Sequence, residues 1–119
     1  MSNALTGSCH CGAVRITIPA APDYINDCNC SLCVTRGGLW GYFSPGLVEV
    51  TGGPTSRYVR SDLPQSYLAT HFCTHCGSTT HWVPLDPDYD RMGVNMRLFD
   101  PEVYASVEIR LIDGRSFDG

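Results

Sequence analysis

The sequence predicts an all-β protein whose small antiparallel sheets are held together by metal ions. Short runs of alternating apolar and polar residues recur along the chain, and segments rich in Gly, Pro, Asp and Ser separate them. The seven cysteines fall into three clusters instead of being scattered. A chain of 119 residues has room for one domain with a modest core. We therefore expect residues 1–119 to form a single zinc-binding domain.

The first predicted strand has the clearest pattern. Over residues 13–18, Val14, Ile16 and Ile18 share one face and Arg15 and Thr17 the other, which is typical of a half-buried strand. Seven further strands are predicted, over residues 39–43, 48–51, 56–60, 65–72, 78–83, 91–98 and 106–112. Two short helices are predicted over 31–36, ended by Gly37 and Gly38, and over 101–104.

The charge and hydropathy patterns argue against nucleic-acid and membrane partners. The net charge is −4, and the eight basic residues are all arginines dispersed along the chain, so the basic patch of a nucleic-acid-binding protein is missing. The sequence has no run of about 20 apolar residues that could span a bilayer and no signal-peptide pattern. We expect a cytoplasmic protein, in which clustered thiols serve as metal ligands or in catalysis.

Four cysteines in two short pairs predict a structural zinc site. Cys9 and Cys11 project from the same face of an extended segment and can reach one ion. Cys73 and Cys76 form the second pair around a turn, in which Gly77 supplies a left-handed conformation. Four thiolates complete the tetrahedral shell of a structural zinc. Buried core cysteines are the alternative interpretation, but they do not explain two chelating pairs.

The middle cluster, Cys28, Cys30 and Cys33, predicts a different kind of site. Three ligands within six residues can bind one face of a metal and leave the opposite side open, as in catalytic zinc sites. Two other interpretations remain open. The cluster can be a second structural site completed by a distant residue, with His71, His81 and Asp27 as the choices, or it can be a redox-active group of free thiols.

Other side chains are weaker candidates. Trp40 follows the three-cysteine cluster and is placed to line its pocket. Asn95 and Arg97 are two residues apart in a predicted strand, so they share a face that either binds a ligand or is exposed to solvent. His71 and His81 are predicted to be hydrogen-bonded structural residues.

Four motifs, taken together, resemble a known family. They are Gly7-Ser8-Cys9-His10-Cys11-Gly12-Ala13-Val14, Cys28-Asn29-Cys30-Ser31-Leu32-Cys33, Phe72-Cys73-Thr74-His75-Cys76-Gly77 and Gly93-Val94-Asn95-Met96-Arg97. Their order and spacing resemble the glutathione-dependent formaldehyde-activating enzymes, a family that includes centromere protein V. The resemblance implies a β-tent fold, a structural ion on Cys9, Cys11, Cys73 and Cys76, and an active-site ion on Cys28, Cys30 and Cys33.

The resemblance also implies a reaction, in which glutathione thiolate adds to formaldehyde to give S-hydroxymethylglutathione. A carbon–sulfur lyase is thus the first functional hypothesis, with a small thiol and an aldehyde as substrates. Because the chain has no lysine, arginine must bind the carboxylates of such a thiol, and Arg36 and Arg97, the latter beside Asn95, are the candidates. The rival hypotheses are a zinc-stabilised binding module without catalysis and a thiol redox or metal-handling protein.

Overall fold

Ten strands in two sheets dominate the structure, which confirms the predicted all-β class. The structure is a computed structural model that describes residues 4–116. Its strands are β1 (Leu5–Ser8), β2 (Val14–Ile18), β3 (Tyr24–Cys28), β4 (Trp40–Phe43), β5 (Glu49–Gly52), β6 (Thr55–Val59), β7 (Leu68–Cys73), β8 (Thr79–Pro84), β9 (Met92–Asn95) and β10 (Glu108–Ile112). The helices are α1 (Ser31–Arg36) and α2 (Pro101–Tyr104), with 3₁₀ turns at Pro45–Leu47, Met96–Leu98 and Gly114–Ser116.

The smaller sheet contains three antiparallel strands in the order β1-β2-β5. In β2 the predicted alternation is confirmed, because Val14, Ile16 and Ile18 are fully buried whereas Arg15 is exposed. This sheet presents the buried face of β2 to the rest of the molecule.

The larger sheet has seven strands in the order β10-β3-β4-β9-β8-β7-β6. Its pairs are antiparallel except for β3 and β10, which run parallel in a register that places Ile112 opposite Cys28. The sequence predicts antiparallel sheets, so this parallel pair is a difference from the prediction. Its consequence is that the residues following β10 lie beside the three-cysteine cluster.

Apolar side chains from both sheets meet in one core. Its buried members are Ile16, Ile18, Ile25, Leu39, Met92, Val94, Met96 and Phe99. A second, smaller cluster of buried residues consists of Cys9, Val14 and Cys73. The two cysteines of that cluster thus lie in an apolar setting, away from the main core.

Three elements differ from the sequence prediction. The strands β1 and β3 were not predicted. The strand predicted over 91–98 ends at Asn95, because the Asn95 side chain accepts a hydrogen bond from the Arg97 N–H and caps a 3₁₀ turn. Among residues 4–116, no helix is long and apolar enough to cross a membrane.

Candidate metal centres and the adjoining pocket

The four-cysteine cluster is assembled by two similar turns. One turn joins β1 to β2 and carries Cys9 and Cys11, and the other joins β7 to β8 and carries Cys73 and Cys76. The ligand atoms all lie within 4.8 Å of one another, with Cys9 Sγ 3.6 Å from Cys11 Sγ and Cys11 Sγ 3.7 Å from Cys73 Sγ. The structure therefore brings together the four thiols that the sequence paired, although they come from opposite ends of a long segment.

The glycine after each pair allows the chain to turn tightly. Gly12 has φ 82° and Gly77 has φ 79°, both in the left-handed region that favours glycine. The Gly12 N–H donates to the Cys9 carbonyl and the Gly77 N–H to the Cys73 carbonyl. The left-handed conformation predicted for Gly77 is confirmed, whereas the extended geometry expected for Cys9 and Cys11 is wrong, since these residues lie at a turn.

Polar groups contact three of the four sulfurs, those of Cys9, Cys73 and Cys76. At Cys11 a hydrogen bond from the Ala13 N–H lowers the pKa, but desolvation and the neighbouring thiols outweigh it and raise the pKa to about 11. The Val14 N–H donates to Cys9 Sγ at 3.3 Å and the His75 N–H to Cys73 Sγ at 3.4 Å. Hydrogen bonds from the Ser78 hydroxyl and N–H lower the pKa of Cys76 to about 5. Such donors offset part of the negative charge of a four-thiolate site. The donor set, its spacing and these partners fit a tetrahedral metal ion such as zinc.

The three-cysteine cluster lies where β3 meets α1. Cys28 ends β3, Cys30 is the N-cap of α1 and Cys33 is in its first turn, and their sulfurs lie within 4.8 Å of one another. The Cys33 N–H donates to Cys30 Sγ at 3.3 Å, and the Cys30 N–H lies 3.5 Å from Cys28 Sγ. The cap that begins the helix is thus also a member of the cluster.

The end of the described chain supports this cluster from behind. Asn29, between Cys28 and Cys30, donates from Nδ2 to Asp113 Oδ1 at 3.0 Å and accepts at Oδ1 from the Arg115 N–H at 2.9 Å. Arg115 Nε also donates to the Asn29 carbonyl at 3.1 Å. A Cβ at Gly114 would lie 2.5 Å from Cys28 Sγ, so only glycine fits behind that sulfur. The segment 113–116 therefore fixes the backbone that presents the thiols.

The cluster faces a pocket of about 150 Å³. The pocket is lined by Asn26, Cys28, Leu32, Cys33, Trp40, Tyr42, Leu68, Thr70, Trp82 and Ile112. Two of its wall residues carry buried polar atoms without a hydrogen-bond partner, namely Trp40 Nε1 and Asn26 Oδ1. Buried polar atoms are normally paired, so these two indicate a site that is completed by a ligand.

Burial is the main influence on the pKa values of the two pocket thiols, Cys28 and Cys33. It raises the pKa of Cys28 and that of Cys33, while the nearby Trp40 indole N–H acts in the opposite direction on Cys33. Without a cation, these thiols stay protonated at neutral pH. A bound metal ion displaces those protons, and the Trp40 N–H is placed to donate to the resulting Cys33 sulfur. The thiol set and this unused donor fit a metal ion held by three ligands.

The alternative ligands proposed for a fourth position lie elsewhere. His71 Nδ1 contacts Thr55 Oγ1 at 3.2 Å, His81 Nδ1 contacts Thr80 Oγ1 at 2.8 Å, and the two imidazole rings stack with centroids 4.5 Å apart. Asp27 is exposed and lines a different cavity. Within the described chain the cluster groups Cys28, Cys30 and Cys33 alone.

The three candidates for ligand binding are dispersed. Arg36, the last residue of α1, lies 4.8 Å above the Tyr58 ring and lines a second cavity that shares Leu32 with the cluster pocket. Asn95 is buried, and its amide bonds the Leu39 N–H, the Arg97 N–H and the Thr79 carbonyl. Arg97 is exposed and belongs to neither cavity.

Most of the pocket wall was not identified from the sequence. Trp40 was expected there, and the structure confirms it. The missed residues are Asn26, Leu32, Tyr42, Leu68, Thr70, Trp82 and Ile112. Strand alternation was the available signal, because Asn26 is two residues before Cys28 and Tyr42 two residues after Trp40. That signal could be used only after β3 had been recognised as a strand.

The fold and its two cysteine clusters define a class of small β proteins with two potential metal centres, of which one faces a pocket. The chain belongs to the family described as Glutathione-dependent formaldehyde-activating enzyme, whose model matches residues 4–111.

The chain is similar to one curated protein in sequence and to one solved structure in fold. A Halomonas elongata protein named "Putative glutathione-dependent formaldehyde-activating enzyme" is 36% identical, over 74% of this chain and 60% of the relative. This chain therefore spans about 60% of the length of that relative. A crystal structure of a Rhodobacter sphaeroides protein superposes with a TM-score of 0.67 at 24% identity, covering 89% of this chain and all of that one. The latter similarity supports the fold.

Proposed function

We propose that the protein is a zinc-dependent carbon–sulfur lyase that condenses a thiol such as glutathione with formaldehyde to give S-hydroxymethylglutathione. In this proposal Cys28, Cys30 and Cys33 hold the zinc of the active site, and Cys9, Cys11, Cys73 and Cys76 hold a structural zinc. The observation that carries the proposal is a three-thiol cluster, of which Cys28 and Cys33 line a pocket of about 150 Å³, in a member of this family.

The reaction needs no oxidant or reductant. One carbon–sulfur bond forms, the carbonyl π bond breaks, and the thiol proton ends on the former carbonyl oxygen. Zinc, when bound, acts as a Lewis acid that lowers the pKa of a thiol and polarises a carbonyl group. The pocket positions the reaction, because it has room for the reacting thiol and carbonyl groups beside Cys28 and Cys33.

The pocket wall can form a hydrogen bond with the hydroxyl group of the product. A hydroxyl can donate a hydrogen bond, and the buried wall holds one unused acceptor for it, Asn26 Oδ1. Arg36, across Leu32 from this pocket, provides a cation for a carboxylate of glutathione. The seven free cysteines support a reducing compartment, and we propose the cytoplasm.

The test compares the zinc-loaded wild type with Cys30→Ser. Exchange spectroscopy measures how fast formaldehyde and glutathione interconvert with S-hydroxymethylglutathione, and zinc content and thermal melting are measured on the same samples. Cys30→Ser should lose one zinc and the acceleration while it keeps its melting transition. Val34→Ser, on an exposed position of the same helix, is the matched control and should resemble the wild type.

Other results would favour the rival functions. A wild-type rate equal to the spontaneous rate, with a fully ligated second ion, would indicate a zinc-stabilised binding module. Reversible oxidation of Cys28, Cys30 and Cys33 with release of zinc would indicate a thiol redox or metal-handling protein.

A further inference from the structure

A third cavity, with a mostly apolar lining, lies beside the cluster pocket on the side of Trp82. It has a volume of about 390 Å³ and is lined by Tyr67, Leu68, Trp82, Pro84, Asp86 and Tyr89. It shares Leu68 and Trp82 with the cluster pocket, so the two spaces are neighbours. A volume of this size falls in the range of small-molecule sites, and formaldehyde, with one carbon atom, has no group to fill it.

The Trp82 ring, which lines both spaces, is held in place. A Cβ at Gly93 would lie 2.0 Å from Trp82 Nε1, so the absence of a side chain there lets the indole pack on the β9 backbone. The ring also meets Tyr42 edge-on, with centroids 6.1 Å apart. The loop that carries Tyr89 is ordered by hydrogen bonds from the Tyr89 N–H to the Asp86 carbonyl and from the Asp88 N–H to Asp86 Oδ1.

The cluster pocket has a cavity on each side, one lined by Trp82 and the other by Arg36, and the two differ in polarity. The Trp82 side contributes apolar and aromatic surface and one carboxylate, Asp86, which repels an anionic peptide. The opposite side, reached past Leu32, carries Arg36 and an ion pair between Arg60 and Asp62, so its net positive charge comes from Arg36. A glutathione adduct has a matching asymmetry, since its peptide is charged while the group contributed by the aldehyde is uncharged.

We propose that the Trp82 cavity holds the apolar substituent of an aldehyde larger than formaldehyde. This inference rests on the proposed lyase function and names its substrate class, the aromatic and branched aliphatic aldehydes. The reaction is the addition already described, with the substituent replacing one hydrogen of formaldehyde. Tyr67 and Tyr89, which are 69% and 49% exposed, form the outer wall and can be replaced without opening the core.

Calorimetric titration of the zinc-loaded protein with S-benzylglutathione and S-methylglutathione tests the cavity without requiring turnover. These stable thioethers have the shapes of an aromatic and a one-carbon adduct. We expect S-benzylglutathione to bind at least about tenfold more tightly, the discrimination that an apolar pocket provides for a few carbon atoms. The Tyr67→Ala/Tyr89→Ala double variant should lose this preference, and Leu47→Ala, an exposed apolar position outside the cavity, should keep it.

Exchange rates with benzaldehyde and formaldehyde then separate the two proposals. A benzyl preference that depends on Tyr67 and Tyr89 supports the cavity assignment even if neither aldehyde is turned over, a result that would reject the lyase function alone. Formaldehyde exchange together with equal affinity for the two thioethers would overturn the cavity assignment and leave the lyase function standing. Absence of binding and of exchange would reject both.

Discussion

The two cysteine clusters use the same ligand atom in opposite ways. The four-cysteine cluster joins turns that are far apart in the sequence, with Cys11 and Cys73 separated by 62 positions, and it places Cys9 and Cys73 in a small apolar cluster. The three-cysteine cluster occupies one β3–α1 junction, and two of its members, Cys28 and Cys33, line a pocket. On our proposal, the sequence separation of the ligands would distinguish a metal ion that organises the chain from one that the chain presents to a ligand.

The difference has an energetic basis. An ion on the four-cysteine cluster closes a long loop and joins the small sheet to the large one, so its binding free energy contributes to folding. An ion on the three-cysteine cluster links residues that a capped helix and the segment 113–116 already hold together. Its removal should change reactivity more than stability.

The largest effect is expected when the four-cysteine cluster is broken. Cys73→Ser should unfold the protein, because a structural zinc contributes about 10–16 kcal/mol in small domains whose total stability is about 5–15 kcal/mol. Near-ultraviolet circular dichroism and thermal melting are the measurements. A Cys73→Ser protein with the native spectrum and melting temperature would show that this cluster is dispensable.

A smaller effect is expected behind the three-cysteine cluster. In Gly114→Ala the new methyl group would lie 2.5 Å from Cys28 Sγ and 3.1 Å from Cys30 Cβ, so the cluster must shift. Overpacking of this kind costs about 1–3 kcal/mol. We expect loss of one zinc with the fold retained, measured by metal analysis and melting. Gly46→Ala is the control, because a Cβ there meets nothing within 4 Å. Retention of both ions in Gly114→Ala would contradict the role of segment 113–116.

The sequence predicted both clusters because chelating thiols are recognisable without tertiary structure. It also predicted β2, where Val14, Ile16 and Ile18 alternate with polar residues. It missed β1, where Gly7 breaks the pattern, and the structure explains that residue, because a Cβ there would lie 2.7 Å from the Leu98 carbonyl oxygen. It missed β3 because Asn26 and Asp27 are poor strand formers.

The pocket was the least predictable part. Its wall combines β3, β4, β7 and β8, and the strand order that brings these together depends on long-range pairing. The parallel β3–β10 pair, which carries Ile112 to the cluster, has no local signature. Asn95 was assigned to ligand binding from its spacing to Arg97, yet its amide bonds three backbone groups. Hydrogen-bond satisfaction of that kind is visible only after folding.

A single donor, the Trp40 N–H, should distinguish the three-cysteine site from the four-cysteine site. Trp40→Phe keeps the ring that packs against Gly38 but removes the indole N–H beside Cys33. Outer-shell donors of this kind change metal affinity about 10–100-fold. We expect the zinc affinity of the three-cysteine site to fall about tenfold and that of the four-cysteine site to stay unchanged. Competition with a chelator measures both affinities. Trp82→Phe, which alters the same pocket without that donor, should retain the affinity. Equal losses in the two variants would assign the effect to packing.

The smallest effect is expected at the edge of the site, where Arg36 faces the polar cavity. An arginine that binds a ligand carboxylate near solvent contributes about 0.2–1 kcal/mol, so Arg36→Met should weaken glutathione binding by up to about fivefold. Arg36→Lys retains the charge but not the stacking on Tyr58, which separates the two contributions. Arg97→Met removes an exposed arginine that lines neither cavity and is the matched control. The measurement is calorimetric titration of each variant with glutathione. Weaker binding in Arg97→Met, with unchanged binding in Arg36→Met, would reverse the assignment. The glutathione peptide would then extend toward the 3₁₀ turn that Asn95 caps.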